Sequence, residues 1–361
     1  MKKKVMIFSG FLGSGKTTTM VNTAQYLKEK GLKVAIITND LGSNLVDTNY
    51  VHEEKVPVSE IPNGCFCHDV PDFTSKINKL YNEENPDIIF AEPVGSCVDI
   101  VKNVYYDIAD NYQDLELAPF TSIIDPVRYQ AIYMNKGENT FMPQITYMYK
   151  KQLEEADVLL LNKIDTLTSE EIKEIESSIK ENFPEKTVVP ISAKDRTNFD
   201  KWTDTFMNGQ NSAMTDLDID WDYVCQAENM MAWYNKHLTL ESTDKYDYNI
   251  FASKLMNNLK KIMDGKIEVA HLKIMLNSGR EYCKSALVGS KREITFSEKF
   301  NENYDKVDAI INCRAQTTPD ILEQRINEAL DKTILETGLK IINQQTQAFD
   351  SFAHAPEPVI G

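Results

Sequence analysis

Near the N-terminus the chain reads Gly10-Phe11-Leu12-Gly13-Ser14-Gly15-Lys16-Thr17-Thr18. An apolar run, Lys4 to Phe8, precedes this stretch, and a helical pattern from Lys16 to Lys30, closed by Gly31, follows it. A buried strand, a glycine turn and a helix N-terminus in that order leave few folds open. The glycines let successive backbone N–H groups turn toward one point at the positive end of the helix, which makes an anion nest. The spacing is that of a P-loop. Gly10, Gly13, Ser14, Gly15 and Thr18 are then expected around the phosphates, with Lys16 on the β- and γ-phosphates and the Thr17 hydroxyl on Mg²⁺.

Further apolar runs at 33–38, 87–91, 120–124, 157–161 and 187–191 read as strands, with helical patterns at 71–82, 99–113, 143–156 and from Ser169 onward. Runs without alternation, separated by amphipathic helices, predict an α/β domain: a parallel sheet with helices on both faces. The segment from Asn39 to about Pro62 is polar and reads as irregular. In such domains a loop at this place senses the γ-phosphate, and Asp40 stands at a strand's C-terminal end, where ligands gather. Composition changes beyond Trp202. Residues 1–206 are expected to form the P-loop domain, 207–222 a linker, and 223–361 a smaller α+β domain with an antiparallel sheet and an extended tail. Met230 to Tyr234 reads as helix packing.

The chain has 361 residues, more than one core normally serves. Its net charge of −16 argues against nucleic acid and against an anionic membrane surface as partners. Six cysteines are too sparse for a disulfide framework, and no apolar run reaches the ~20 residues of a membrane span. The cytoplasm is the expected compartment.

Asn162-Lys163-Ile164-Asp165 closes one strand, and Ser192-Ala193-Lys194 closes the next. A carboxylate such as Asp165 can accept from the guanine N1–H and exocyclic amine together, a pair that adenine does not offer. The Lys163 stem can cover the base, and a backbone donor at 192–194 can meet the guanine O6. A site built this way leaves polar groups unpaired with adenine, so GTP is expected over ATP.

Between these motifs lies Asn63-Gly64-Cys65-Phe66-Cys67-His68-Asp69. Cys65, Cys67 and His68 are three soft or borderline metal ligands within four residues, suited to Zn²⁺, Co²⁺ or Ni²⁺, with water, Asp69 or a partner's residue as a fourth. Cys97, Cys225, Cys283, Cys313 and His271 read as core residues.

With the P-loop, Asn63-Gly64-Cys65-Phe66-Cys67, Glu92-Pro93-Val94-Gly95 and Asn162-Lys163-Ile164-Asp165 in hand, residues 1 to about 200 resemble the CobW-type GTPases. These are kin to the GTPases that insert nickel into hydrogenase and urease. The resemblance implies that Glu92 contacts Mg²⁺ through water and that the Gly95 N–H meets the γ-phosphate. Ser96 stands where signalling GTPases carry Gln, so Asp40 and Glu92 become the candidates for activating water, and intrinsic turnover should be slow. The family usually carries Cys-x-Cys-Cys, whereas His68 follows Cys67 here. The resemblance implies a client metalloenzyme as partner and leaves a homodimer across the nucleotide face open. Three readings remain: a GTPase that delivers a transition metal; a GTP-driven switch acting on a cofactor- or corrinoid-dependent client without cargo; and a small-molecule kinase.

Overall fold

The computed structural model describes residues 3–41, 45–62, 64–209, 217–289 and 291–350. They divide into two compact units, with the boundary after Val224; residues 45 and 46 are counted with the second.

The first unit carries strands β1 (Lys3–Ser9), β2 (Val34–Asp40), β3 (Val58–Pro62), β4 (Ile88–Ala91), β5 (Leu115–Leu117), β6 (Thr121–Ile124), β7 (Val158–Leu161) and β8 (Thr187–Pro190). They run parallel in the order β3-β2-β4-β1-β6-β7-β8, with β5 alongside β1. Val5 to Phe8, Ile89 to Ala91 and Leu159 to Leu161 are wholly buried, as strands covered on both faces must be. The cover comes from helices α1 (Lys16–Glu29), α2 (Val46–Glu53), α3 (Val70–Glu84), α4 (Tyr106–Asn111), α5 (Pro126–Tyr133), α6 (Pro143–Glu155), α7 (Ser169–Asn182) and α8 (Phe199–Asn208). A ninth, α9 (Trp221–Asn229), crosses the boundary. On one face Phe8 meets Phe90 and Trp202 edge-on at 5.1 and 5.9 Å, and Trp202 packs on Phe206 at 4.8 Å. Such pairs contribute about 0.5–1.5 kcal/mol each beyond their burial.

The second unit contains β9 (Met231–Tyr246), α10 (Tyr248–Met263), β10 (Glu268–Asn277), β11 (Tyr282–Leu287), β12 (Thr295–Glu298), β13 (Tyr304–Gln316), α11 (Pro319–Thr337) and β14 (Lys340–Asp350). The sheet order is β12-β11-β10-β13-β9-β14, antiparallel throughout. Alternate residues of β9 (Ala232, Tyr234, Leu238, Leu240) join Phe251, Leu255 and Leu259 of α10 and Leu322, Ile326 and Leu330 of α11 in one core.

Several expectations need correction. Residues 39–62 hold α2 and β3, because Val46, Tyr50 and Val51 bury one face at helical spacing and β3 extends the sheet beside β2. The stretch Met231 to Tyr234 is strand, its side chains alternating between faces. The expected helix at 99–113 starts as one π-turn, Val101–Tyr105, before α4. The helix from Ser169 onward, where Ser169 itself offers a cap by residue type, is instead capped by Thr168: its hydroxyl accepts from the Glu171 N–H while Glu171 accepts from the Thr168 N–H. Of the tail expected from Gln344 onward, residues 344–350 belong to β14, an edge strand on β9, and the tip lies outside the described residues.

Glu155, at the end of α6, is 1% exposed, and its Oε1 accepts the Val101 N–H at 2.5 Å. Burial, reinforced by the charge of Asp99, pushes its carboxyl up to about 8 against the pull of these backbone hydrogen bonds. The folded protein therefore keeps a proton that the unfolded chain releases near the ordinary carboxylate value. Stability should fall as pH rises from there to about 8 and level off above it. In Glu155→Gln that decline should vanish, which urea unfolding across the window measures.

Candidate functional site

The P-loop leaves the C-terminal end of β1, and Glu92, Asn162 and Ser192 follow closely on the ends of β4, β7 and β8. Four distant segments thus meet on one edge of the sheet, where an open α/β sheet holds its ligand. Gly10, Gly13 and Gly15 take φ values of 136°, 82° and 100°, which residues with a Cβ rarely adopt. A Cβ on Gly10 would lie 2.6 Å from the Ile123 carbonyl oxygen, and one on Gly15 would lie 2.5 Å from Asn162 Nδ2. Lys16 Nζ folds back to donate to the Gly10 carbonyl at 2.7 Å. Ser14 is buried, its Oγ without a hydrogen-bond partner among the described residues, and Thr18 is half-buried in the first turn of α1.

Thr17 Oγ1 donates to the Glu92 carboxylate at 3.0 and 3.2 Å, and both residues are buried. A hydroxyl and a carboxylate held together at the phosphate nest are the hard oxygen donors that Mg²⁺ requires, so the residues present fit the ion. Asp40 is half-buried at the end of β2, and its Oδ1 accepts the Leu41 N–H at 2.8 Å.

At the ends of β7 and β8 the Asn162 side chain donates to the Ser14 carbonyl and accepts from the Ala193 N–H, each at 3.0 Å. Lys163, at a φ of 62°, reaches the Gly13 carbonyl at 2.8 Å and Asp125 Oδ2 at 2.7 Å. Asp165 is exposed and accepts from Ser192 Oγ at 2.9 Å, and Lys194, in the same turn as Ser192, is exposed. Two residues here escaped the sequence reading. Asp125 is 3% exposed, caps α5 through the Arg128 N–H and holds Lys163. Arg128 lies 4.6 Å over the ring of Phe11 in the P-loop. The Asp125-Pro126 pair after a strand was the available signal, since it marks a capped helix start at the ligand edge.

The cysteine loop departs most from expectation. Cys65 Sγ lies 2.6 Å from both Cys67 Sγ and Cys97 Sγ, and Cys67 and Cys97 are 3.6 Å apart. Among the described residues these three thiols are the group placed to share a metal ion. His68 is exposed and outside it: its backbone N–H closes a turn onto the Cys65 carbonyl, and that turn directs its side chain outward. Asp69 accepts the Asp72 N–H as the cap of α3. Cys97, expected in the core, supplies the third sulfur from the turn after β4, where its N–H donates to the Val94 carbonyl at 3.0 Å. Burial disfavours a charged Cys65, but hydrogen bonds from Cys67 and Cys97 outweigh it and hold this thiol well below its ordinary value. Burial and the neighbouring sulfurs push Cys97 up. The cluster can thus present a thiolate to a thiophilic cation.

The loop is anchored from β2. Asn39 is buried, accepts the Phe66 N–H at 3.1 Å and donates to the carbonyls of Ile61 and Gly64. Phe66 stacks on Phe73 of α3 at 4.2 Å. Asn63, part of the expected motif, lies outside the described residues.

A parallel sheet with a P-loop at its central strand, an acidic residue beside Thr17 and an Asn-Lys-x-Asp loop defines a P-loop GTPase domain. Residues 4–190 match the CobW/HypB/UreG nucleotide-binding domain, and the chain belongs to that family. It is 26% identical over 228 residues to the zinc-regulated GTPase metalloprotein activator 1 of Dictyostelium discoideum, covering 53% of this chain and 47% of the relative. It is 25% identical over 190 residues to the zinc chaperone YeiR of Escherichia coli, covering 51% and 53%. The chain thus spans about half the length of the curated relatives it matches. The zinc-bound crystal structure of the YjiA GTPase from E. coli aligns over 92% of this chain and 99% of that one, at 16% identity and a TM-score of 0.37.

Gly15→Ala should lose at least about tenfold in nucleotide affinity, because left-handed strain of ~1–3 kcal/mol adds to the clash with Asn162. Calorimetric titration with GDP measures it, with thermal unfolding reporting that the variant stays folded.

Proposed function

We propose that this protein binds GTP with Mg²⁺, hydrolyses it slowly to GDP and phosphate, and couples that cycle to carrying a transition metal to a client metalloenzyme. The observation that carries the reading is the meeting of Cys65, Cys67 and Cys97 next to Gly95. A cluster of two buried thiols and one half-buried thiol close to the P-loop has no role in phosphate binding, and it has the chemistry of a site for Zn²⁺ or a similar cation. The names of the relatives, zinc chaperones and a zinc-regulated activator, agree with this chemistry. Three protein ligands leave one tetrahedral position open, which suits a cargo that must depart.

In this reading the P-loop N–H groups and Lys16 hold the phosphates, and Lys16 exchanges its contact with the Gly10 carbonyl for the β- and γ-oxygens. Thr17 and Glu92 hold Mg²⁺, which supplies charge for the transferring phosphoryl group. The Gly95 N–H reports the γ-phosphate. Asp40, at the end of β2, and Glu92 are the carboxylates that orient the attacking water. Asp165 reads guanine, with Lys163 along the base and the 192–194 turn (Ser192, Ala193, Lys194) supplying the donor for O6. Asn162 fixes these loops to the P-loop.

Two outcomes test the assignments. Cys97→Ser should weaken Co²⁺ and Zn²⁺ binding by ~10-fold or more and reduce the thiolate-to-cobalt absorption, while His68→Ala changes neither and both variants keep wild-type GDP affinity. Undiminished metal binding by Cys97→Ser would remove the three-thiol site. Asp165→Asn turns an acceptor into a donor, so GTP affinity should fall by ~100-fold or more while xanthosine triphosphate gains. Competition with a fluorescent nucleotide reads both.

A further inference from the structure

The side chain of Gln152, from α6, is 1% exposed and takes part in none of the contacts assigned above. Its Nε2 donates to the carbonyl of Gly95 and to the carbonyl of Cys97, each at 3.0 Å. Those carbonyls belong to residues with different tasks. Gly95 stands against the P-loop: a Cβ there would lie 2.6 Å from Leu12 Cδ2 and 3.0 Å from Lys16 Nζ. Cys97 carries the sulfur that completes the thiol cluster. One amide group therefore pins both ends of a three-residue turn, one end at the phosphate nest and the other at the metal ligands.

We propose that Gln152 is the positioning residue that makes residues 95–97 a single lever, so that occupancy of the γ-phosphate position and of the thiol cluster is read through one side chain. The inference rests on the metal-carrying function proposed above and names the part that transmits it. A turn with free ends could adjust at Gly95 without moving Cys97, since the φ and ψ dihedrals between them are soft. With both carbonyls fastened to one rigid amide, displacement at either end is shared by the other.

The turn also has the marks of an element with a second arrangement. Ser96 Oγ, between the two pinned residues, and Gln152 Oε1 are buried without a hydrogen-bond partner among the described residues. Buried polar groups are normally paired, so this arrangement does not satisfy the turn fully. Immediately downstream, Asp99 holds a φ of 62° and residues 101–105 form the π-turn, both irregularities able to absorb a shift of the turn without moving α4. Coupling needs an element whose equilibrium both sites bias, and the 95–97 turn is placed to be one.

The test is Zn²⁺ affinity of the full chain with Mg²⁺ and either GDP or a non-hydrolysable GTP analogue. The wild type should differ between the two states by at least about tenfold, equivalent to ~1.4 kcal/mol of coupling. Gln152→Met keeps the volume without the donors, and Gln152→Asn keeps an amide too short to reach both carbonyls. In each the ratio should fall below about threefold, while zinc affinity of the GDP state stays within about threefold of wild type. A folded variant that retains the wild-type ratio overturns the lever and leaves the metal-carrying function standing. A wild type that binds no zinc in either state overturns that function, and the lever with it. A measurement on the wild type alone guards against variants that fail to fold: zinc added to the GDP state should slow hydrogen exchange at the Gly95 amide, and unchanged exchange there overturns the proposal.

Discussion

The side-chain amide of Asn162 is the contact on which the nucleotide edge depends. With one donor on the Ser14 carbonyl and its oxygen on the Ala193 N–H, it joins the P-loop to the turn after β8 and sits at the end of β7 itself. Three loops that would otherwise fluctuate separately acquire one geometry. Gly15 must be a glycine for the same reason, because the Asn162 amide occupies the space that a Cβ would fill. Lys163 repeats the arrangement one residue later, from the Gly13 carbonyl to Asp125. The P-loop and the loops after β6, β7 and β8 are thus parts of one hydrogen-bonded frame, and such preorganisation reduces the ordering cost of binding a ligand there.

A second frame of the same kind stands on the other side of β1. Asn39 holds the cysteine loop by its backbone, Phe66 fastens it to α3 by stacking, and Gln152 holds the turn that brings Cys97 to it. Both frames use buried amides, which supply donors and an acceptor without a charge that would need compensation. The thiol cluster forms without the exposed His68, and its three thiols come from two loops on the same side of the P-loop strand. A site assembled from two segments can be opened by moving either one. A site contained in four consecutive residues lacks that property.

Elements with a local pattern were readable in advance. The P-loop, the six apolar strands, the Asn162–Asp165 motif and the antiparallel second unit each follow from periodicity or from residues a few positions apart. The hidden ones depend on partners far along the chain. β3 has little apolar character of its own and is a strand because β2 offers an edge. Met231 to Tyr234 packs an aromatic and methionine cluster that fits a helix as well as a strand, and only pairing with β13 and β14 decides it. Asp125 and Arg128 look ordinary until β6 sets them at the ligand edge.

Cys97 marks the division most clearly. By itself the sequence determined a glycine-rich P-loop, an Asn-Lys-x-Asp loop and a pair of cysteines in a loop between them, because each is written in adjacent residues whose geometry the backbone dictates. Only the tertiary structure decided that the third thiol comes from Cys97, 32 positions beyond Cys65, and that His68 turns away. The physical reason is that β4 lies beside both β1 and β2, so the turn leaving its end is carried to the cysteine loop by sheet pairing. No spacing rule along the chain contains that contact.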